Sequence, residues 1–322
     1  MNHSPRKHSQ LRRGGARSLG FTLIELMISM AIGLVIIAAA SVILISSSAS
    51  RRQVELSADV IENGRYGLDT LSRQLSQTGF YGTLALPSGT TVDLCSTDPA
   101  VWANSLALYA VGLNNAQADP ACLARKPGTD AIFTQRASTC TVSEVGSGCG
   151  EDAGNAYLQV SECGDEYSAT PFVLARGNAA TFTLQTKACD GTRVTKRKLI
   201  RRFFYIDTAD VLSYVDLTPS GLSAPVAIVE NIEQMQIEYA VDNDGDGTPE
   251  SFTPTPADWS LVVGVRVWLL ARSTDASPNA KNATTFQMSD TTVSVPAASA
   301  NLKRRVYSTY IPFVSPKSRR ES

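Results

Sequence analysis

Histidine is nearly missing from this sequence, and its absence limits the chemistry that the protein can perform. The 322 residues contain only His3 and His8, both within the first twenty positions. The GxSxG, P-loop and HExxH patterns are also missing. No two of the six cysteines form a CxxC pair, which argues against the usual zinc site. The sequence therefore predicts a protein that is not an enzyme and requires no cofactor, with a pair of the scattered carboxylates as the one catalytic option left open.

Acidic residues are missing from the first twenty positions, although the whole chain is nearly neutral, with a net charge of −1. This start carries five basic residues: Arg6, Lys7, Arg12, Arg13 and Arg17. Removing them lowers the net charge to about −6. A protein of that sign has no general attraction for nucleic acid, so we do not expect nucleic acid as a partner.

A long apolar segment follows the basic start. Between residues 21 and 45 the only charge is Glu25, and there is no proline. As a helix this segment extends about 37 Å, enough to cross a hydrocarbon core of about 30 Å, with the basic end in the cytoplasm. A secretory signal would be cut after the apolar stretch, near residues 38–41. That alternative gives Glu25 no purpose, although a carboxylate at the centre of a membrane span costs about 2.5–3.5 kcal/mol, and less near an end.

Residues 20–25, with the sequence GFTLIE, resemble the class III signal of type IV prepilins and type II secretion pseudopilins. The resemblance implies that a prepilin peptidase cleaves after Gly20, removes the leader 1–20 and N-methylates the new terminal residue, Phe21. It also implies that Glu25 attracts the terminal amine of a neighbouring subunit during assembly. A carboxylate in an apolar environment needs such a cation, because an unpaired buried charge is strongly destabilising.

The pattern beyond residue 45 predicts that the helix continues outside the membrane. Apolar residues recur every seven positions at Val54, Ile61, Leu68 and Leu75. Charged positions interrupt this stripe, as is typical of an amphipathic helix. We therefore predict a helical domain over residues 21–79, with two helices joined by a hinge near 46–50 as the alternative.

The sequence of residues 80–322 predicts a β-rich head that is periplasmic or extracellular. Together with the N-terminal helix, this head predicts an α+β fold. Short β-prone runs lie between clusters of Gly, Pro, Asp and Ser, at 172–174, 181–184, 202–206, 211–217, 235–241 and 261–270. Residues 202–217 are typical of a hairpin. Residues 226–233 fit either a strand or a short helix.

All six cysteines lie in one part of the head, at Cys95, Cys122, Cys140, Cys149, Cys163 and Cys189. Because the N-terminus indicates export, we expect disulfides, although six cysteines allow fifteen pairings. We interpret residues 86–190 as an insertion braced by these bonds. Six reduced cysteines in a cytosolic protein are the alternative.

Four segments of the head are similar to the PilW family of minor pilins, at 231–239, 242–247, 265–272 and 303–309. The likeness implies the pilin architecture, in which a long N-terminal helix packs on a β-rich head. It also implies a low-abundance subunit that primes and joins type IV pilus assembly. Its partners would be other minor pilins, the major pilin and a tip adhesin. It would serve twitching motility, adhesion or DNA uptake.

An acidic run between two β-prone segments is a candidate calcium site. Asp242, Asp244 and Asp246 alternate as in the first half of a calcium-binding loop, Thr248 offers a carbonyl and Glu250 a further carboxylate. The twelfth position of the run is a threonine, where an EF-hand supplies a bidentate glutamate, and helical patterns do not flank it. The alternative is an acidic, glycine-rich turn that joins two strands.

Residues 196–205, with the sequence KRKLIRRFFY, mix cations with aromatic rings. Such residues could bind phosphates and stack on bases. A strand with a solvated basic face explains the same run, and this is the interpretation that we favour.

These observations predict a single-pass inner-membrane protein with a periplasmic head that later enters a pilus at the cell surface. A minor pseudopilin of type II secretion has the same N-terminal features and is the first alternative. A membrane-anchored calcium-dependent adhesin and a DNA-uptake receptor are alternatives of other classes. Glu25→Ala should leave the function of a pure anchor intact, whereas it should abolish the function of an assembly subunit.

Overall fold

The computed structural model describes residue 20 and residues 22–85, 92–142, 149–177, 180–277 and 284–320. The leader before Gly20 and the predicted methylation site Phe21 lie outside these described residues. The chain divides into two compact units, residues 1–53 and 54–322.

The predicted N-terminal helix is present as α1 (Leu23–Leu75). Its first part is long and apolar enough to cross a membrane, by length and composition. The large apolar side chains from Leu23 to Ile45 are exposed. Residues 46–50 are helical, so the alternative of two separate helices is wrong. The helix ends four residues before the predicted boundary, in a turn that leads to Gly79, whose φ of +75° favours glycine.

The second part of α1 packs on the head through apolar and small residues. The buried positions are Leu56, Val60, Gly64, Gly67, Leu68, Leu71 and Leu75. Gly64 lies against the ring of Tyr307, and a Cβ atom at Gly67 would lie 3.0 Å from Leu269 Cδ1. A glycine within a helix costs about 1 kcal/mol relative to alanine. Close approach of the helix to the sheet explains why side chains are missing at these two positions.

The head contains three short helices and fourteen strands among the described residues. The helices are α2 (Pro99–Ala103), α3 (Gly164–Ala169) and α4 (Val314–Arg320), with 3₁₀ turns at Trp259–Leu261 and Ala297–Ser299. The strands are β1 (Ala110–Leu113), β2 (Ala131–Ala137), β3 (Ala156–Val160), β4 (Phe172–Arg176), β5 (Arg197–Ile206), β6 (Leu212–Thr218), β7 (Gly221–Leu222), β8 (Val226–Val229), β9 (Ile232–Val241), β10 (Ser251–Thr253), β11 (Val262–Ala276), β12 (Thr285–Met288), β13 (Thr291–Ser294) and β14 (Leu302–Pro312).

These strands form three antiparallel sheets. The eight-stranded sheet has the order β1-β2-β5-β3-β4, and β6 joins it by pairing with β5, β7 and β8. The four-stranded sheet has the order β10-β9-β11-β14, and β12 pairs with β13. A long apolar helix with a β-rich antiparallel head confirms the predicted α+β class and its pilin-like layout.

Three local predictions have different outcomes. The hairpin at 202–217 is confirmed, since β5 and β6 pair with Phe204 opposite Tyr214. The undecided segment 226–233 begins with strand β8. The strand predicted at 181–184 is wrong, although Leu184 is buried. Its backbone N donates to the side-chain Oε1 of Gln159 at 3.0 Å, so the apolar alternation reflects burial rather than membership of a strand.

The six cysteines pair in sequence order as Cys95–Cys122, Cys140–Cys149 and Cys163–Cys189. The Cα atoms of the three pairs are 5.6, 6.3 and 5.2 Å apart, within the range that a disulfide spans. The expectation of disulfides is therefore met, and this pairing selects one of the fifteen arrangements.

Candidate assembly site and candidate metal site

Glu25 lies in the first turn of α1, where its carboxylate folds back on the start of the helix. Its Oε2 accepts hydrogen bonds from N and Oγ1 of Thr22, both at 3.0 Å, and its own N donates to Thr22 Oγ1 at 3.3 Å. This is a capping box, in which an N-terminal threonine and a glutamate three residues later satisfy each other's backbone donors. The negative charge also lies at the positive end of the helix dipole.

Thr22 was not predicted as a functional residue, although the spacing Thr-x-x-Glu is a readable sequence signal. Its hydroxyl and amide are neutral donors, and a cation would bind the same carboxylate more strongly. The Glu25 carboxylate is therefore held at the start of an apolar helix by the neutral donors of Thr22. A cation can replace these donors.

The acidic run forms the loop between β9 and β10. Asp242 is fully buried, and its two carboxylate oxygens accept from the backbone N of Gly245 at 2.8 Å and of Gly247 at 3.0 Å. Both glycines have positive φ, of +82° and +85°, which lets the chain wrap around this carboxylate. The loop joins two strands, as the turn alternative requires.

The same loop brings four carboxylates together. Asp242, Asp244, Asp246 and Glu250 each offer an oxygen, and these oxygens lie within 4.8 Å of one another. A hydrogen bond of 2.6 Å from the backbone N of Thr248 to Asp246 Oδ1 holds Thr248 in the loop. Hard oxygen donors at this spacing fit the chemistry of a calcium ion. Calcium binding by this loop stays a prediction.

The electrostatics of the loop show how closely the acids approach each other. The hydrogen bond from the backbone of Asp246 lowers the pKa of Asp244. Desolvation and the charges of Asp246, Glu250 and Asp242 act in the other direction, and their sum raises this pKa above its usual value. The twelfth residue of the run, Thr253, does not return to the loop, because it pairs with Tyr239 in the sheet.

The basic and aromatic run in β5 is not the solvated face that the sequence indicated. Arg201 is 1% exposed, and its guanidinium lies 4.6 Å from the ring of Trp102 and 4.9 Å from that of Phe133. Arg202 binds both carboxylate oxygens of Asp216, at 2.6 and 2.9 Å. The favoured interpretation is therefore wrong for these two arginines, because aromatic rings bury Arg201 and Asp216 binds the guanidinium of Arg202. They offer no basis for contact with nucleic acid.

Comparison with known families gives two matches, both to segments that the geometry has singled out. Residues 15–41, which include Glu25 and the start of α1, match the prokaryotic N-terminal methylation motif. Residues 189–314, from β5 to the end of β14, match the family described as type IV pilus-assembly protein W, or PilW. No curated protein and no solved structure matches the chain.

Proposed function

We propose that this chain, a type IV pilin of the PilW family, is a minor pilin that primes and joins pilus assembly. The observation that carries the proposal is Glu25, a carboxylate held in the first turn of a long apolar helix. Glu25 lies within the segment that matches the methylation motif. The four-stranded sheet β10-β9-β11-β14 lies within the segment that matches the PilW family. The family is structural, and we propose that this member likewise has no enzymatic activity.

The chemistry of assembly follows from the charge at the start of α1. Cleavage after Gly20 would create a new α-amine at Phe21, four residues from Glu25. In a lone subunit the Glu25 carboxylate has Thr22 as its partner. When apolar helices pack together, that carboxylate loses water, and the terminal amine of a neighbour would offset its charge. Only correctly placed neighbours supply the cation, so the charge pair would select the register of assembly.

The partners and location follow from the same proposal. A prepilin peptidase would process the chain at the inner membrane, with the head in the periplasm. Other minor pilins and the major pilin would then join it in a fibre, with a tip adhesin as a further partner. Twitching motility, adhesion or DNA uptake would be the activity that the fibre serves.

Mass spectrometry of the N-terminus tests the processing step. Protein is taken both from membranes and from sheared surface fibres. We expect a chain that begins at methylated Phe21 in both samples. A chain that begins at Met1, or one that is cut beyond Ala38, would overturn the proposal. Processed protein in membranes that never enters fibres, together with loss of protein secretion on deletion, would identify a type II pseudopilin instead.

Substitution of Glu25 tests the assembly step. We expect Glu25→Ala to lower the amount of subunit in fibres by about ten-fold or more, because the buried charge pair is lost. Ser29→Ala, which removes only the hydroxyl bond to the Glu25 carbonyl at 2.7 Å, is the matched control. Equal incorporation of the two variants would show that Glu25 has no role in assembly.

Calcium binding by the acidic loop is a second candidate function, and the four converging carboxylates favour it. On this proposal the head would act as a calcium-dependent adhesin or be stiffened by the ion. About 1 mM calcium should raise the melting temperature of the full chain by roughly 3 °C for a site of moderate affinity. Asp244→Asn should abolish the shift, while Asp165→Asn on the exposed helix α3 should keep it. Identical melting temperatures with and without calcium would reject the site.

A further inference from the structure

All six cysteines of the head are paired, and each is bonded to a neighbour in the order of the sequence. The bonds are Cys95–Cys122, Cys140–Cys149 and Cys163–Cys189. No bond encloses or crosses another. Of the fifteen pairings that six cysteines allow, only this one joins every cysteine to a sequence neighbour. A chain exported from its N-terminus to its C-terminus therefore delivers the two cysteines of each bond one directly after the other.

Distance along the chain does not select this pairing. Cys122 is closer in sequence to Cys140 than to its partner Cys95, from which its separation is 27. Cys163 likewise has a closer neighbour than its partner Cys189, at a separation of 26. In an unfolded chain the shorter loop closes more readily, by about two-fold at these lengths. Random closure would therefore not favour these two observed bonds.

The fold of the head does not select the pairing while the chain is still entering. Strand β5 lies inside the eight-stranded sheet, where it pairs with β2, β3 and β6. It begins at Arg197, after the last cysteine, and its Phe203 and Phe204 are buried in the core. Because β2 and β3 lack this partner until β5 has entered, the sheet is completed only after all six thiols have arrived. Oxidation during entry can thus follow only the order of arrival.

We propose that a thiol oxidase with a reactive disulfide joins the cysteines of the head in pairs as they enter the periplasm, and that no disulfide isomerase is required. The thiolate of the first cysteine of a pair attacks the oxidase disulfide and forms a mixed disulfide. The thiolate of the next cysteine attacks the chain sulfur of that bond and releases the oxidase as a dithiol. Each bond transfers two electrons and two protons to the oxidase, so one chain consumes three oxidase disulfides.

The time between cysteines suits this sequence of reactions. Synthesis at about 5–20 residues per second separates the entry of Cys122 from that of Cys140 by about 1–4 s. During this interval Cys95 and Cys122 are the only thiols of the chain that the oxidase meets. Burial in the finished head is a further reason for early reaction, since Cys163 is 5% exposed there. A thiol at that position is most accessible before the head has folded.

The yield of native bonds without an isomerase is the first test, and the proposal rests on the proposed position of the head in the periplasm. The full-length chain is produced in a host that lacks its periplasmic disulfide isomerase and in one that has it. Free thiols are alkylated, and peptide mapping by mass spectrometry should give the three bonds in equal yield from both hosts. Native bonds that form only with the isomerase would overturn this proposal alone. Six reduced cysteines would overturn it together with the periplasmic position.

Removing the first cysteine tests the order of arrival directly. In Cys95→Ser, Cys122 lacks its partner and should take Cys140. The share of chains with the Cys140–Cys149 bond should then fall at least about three-fold in the host without isomerase. Loop closure alone predicts no such loss, because this bond closes the shortest loop, with a separation of 9. The isomerase should restore the bond.

Cys189→Ser is the matched control, because it removes the last cysteine to enter. The two earlier bonds should form in native yield, and Cys163 should stay free. The readout is the identity of the bonds, so the comparison holds even where neither variant folds. An equal yield of the Cys140–Cys149 bond in Cys95→Ser and Cys189→Ser would overturn the proposal.

Discussion

Each of the two large sheets buries an arginine, and the two side chains are satisfied in different ways. In the four-stranded sheet, Arg304 has a fully buried side chain and binds Glu233 through two hydrogen bonds of 2.6 and 3.1 Å. In the eight-stranded sheet, Arg201 stacks between Trp102 and Phe133 and forms no ion pair among the described residues. A buried cation can thus be held by a carboxylate or by aromatic rings, and the two solutions should respond differently to mutation.

The aromatic solution leaves Arg201 incompletely bonded. Its guanidinium donates weakly to the carbonyls of Ser96 at 3.4 Å and Asp93 at 3.3 Å, while its Nε finds no partner among the described residues. Desolvation lowers its pKa to about 9, so the charge remains at neutral pH and burial opposes it. Arg304 has no such deficit, because its other donors reach Ser299 at 2.6 and 2.7 Å.

Breaking the ion pair in the four-stranded sheet should have the largest effect. Arg304→Leu leaves Glu233 as a nearly buried charge without its partner, and we expect a loss of about 3–5 kcal/mol in the free energy of unfolding. Urea denaturation of the full chain in detergent measures this loss in the free energy of unfolding. The double variant with Glu233→Leu should recover most of the loss. Equal losses in the single and double variants would show that packing, not charge pairing, is what Arg304 supplies.

The disulfide beside Arg201 should have the next largest effect. Replacing Cys95 and Cys122 by alanine opens a loop of sequence separation 27 and should cost about 3 kcal/mol. It should also free the segment around Ser96, whose carbonyl accepts from Trp102 Nε1 at 2.6 Å, and so change the tryptophan fluorescence of the folded state.

Removal of the Cys140–Cys149 disulfide is the matched control for that prediction. Its sequence separation is 9, so its loss should cost about 1 kcal/mol less, and the tryptophan fluorescence should stay unchanged. Equal fluorescence changes in the two variants would contradict a specific link between Cys95–Cys122 and the aromatic pocket of Arg201.

A buried carboxylate at the junction of the two sheets sharpens the comparison. Asp130 precedes β2, and its carboxylate accepts from the backbone N of Ile237 in β9 at 2.7 Å and of Asn115 at 2.7 Å. Desolvation raises its pKa to about 6, against the opposing effects of these hydrogen bonds and of Arg125. The folded state therefore binds the proton more tightly than the unfolded state does, and ionisation weakens the fold as pH rises from about 4 to about 6.

The pH dependence of an Asp130 variant tests this sign. The raised pKa corresponds to about 3 kcal/mol in total, of which about 1–1.5 kcal/mol develops between pH 5 and pH 7.5. Asp130→Asn does not titrate, so its stability relative to the wild type should improve by that amount over this range. A stability difference that is independent of pH would show that Asp130 is ionised throughout.

Sequence patterns predicted the parts of the molecule that depend on neighbouring residues. The amphipathic pattern predicted the second half of α1, although only Leu68 and Leu75 of the heptad positions are buried and Val54 is exposed. The hairpin signal predicted β5 and β6. The spacing of the acids in the β9–β10 loop likewise brought out four carboxylates that the fold places together.

Features that depend on distant residues could not be predicted in this way. The run containing Arg201 looked solvated, because the rings that bury it lie at Trp102 and Phe133, far away in the sequence. Residues 181–184 looked like a strand, because nothing local reveals that Gln159 binds Leu184. Local spacing therefore identifies candidate groups, whereas tertiary packing decides whether they face water or the core.

Replacing Arg201 by methionine should have the smallest effect, although the residue is among the most buried in the head. Methionine keeps much of the side-chain volume and the contacts with Trp102 and Phe133, and it removes a cation whose donors are poorly satisfied. Substituting a buried charge by a packed apolar residue is often neutral or stabilising, so we expect a change within about 1 kcal/mol in urea denaturation. Arg304→Met should lose about 3 kcal/mol or more, because Glu233 remains. Similar losses in the two methionine variants would mean that aromatic stacking holds Arg201 as firmly as an ion pair holds Arg304.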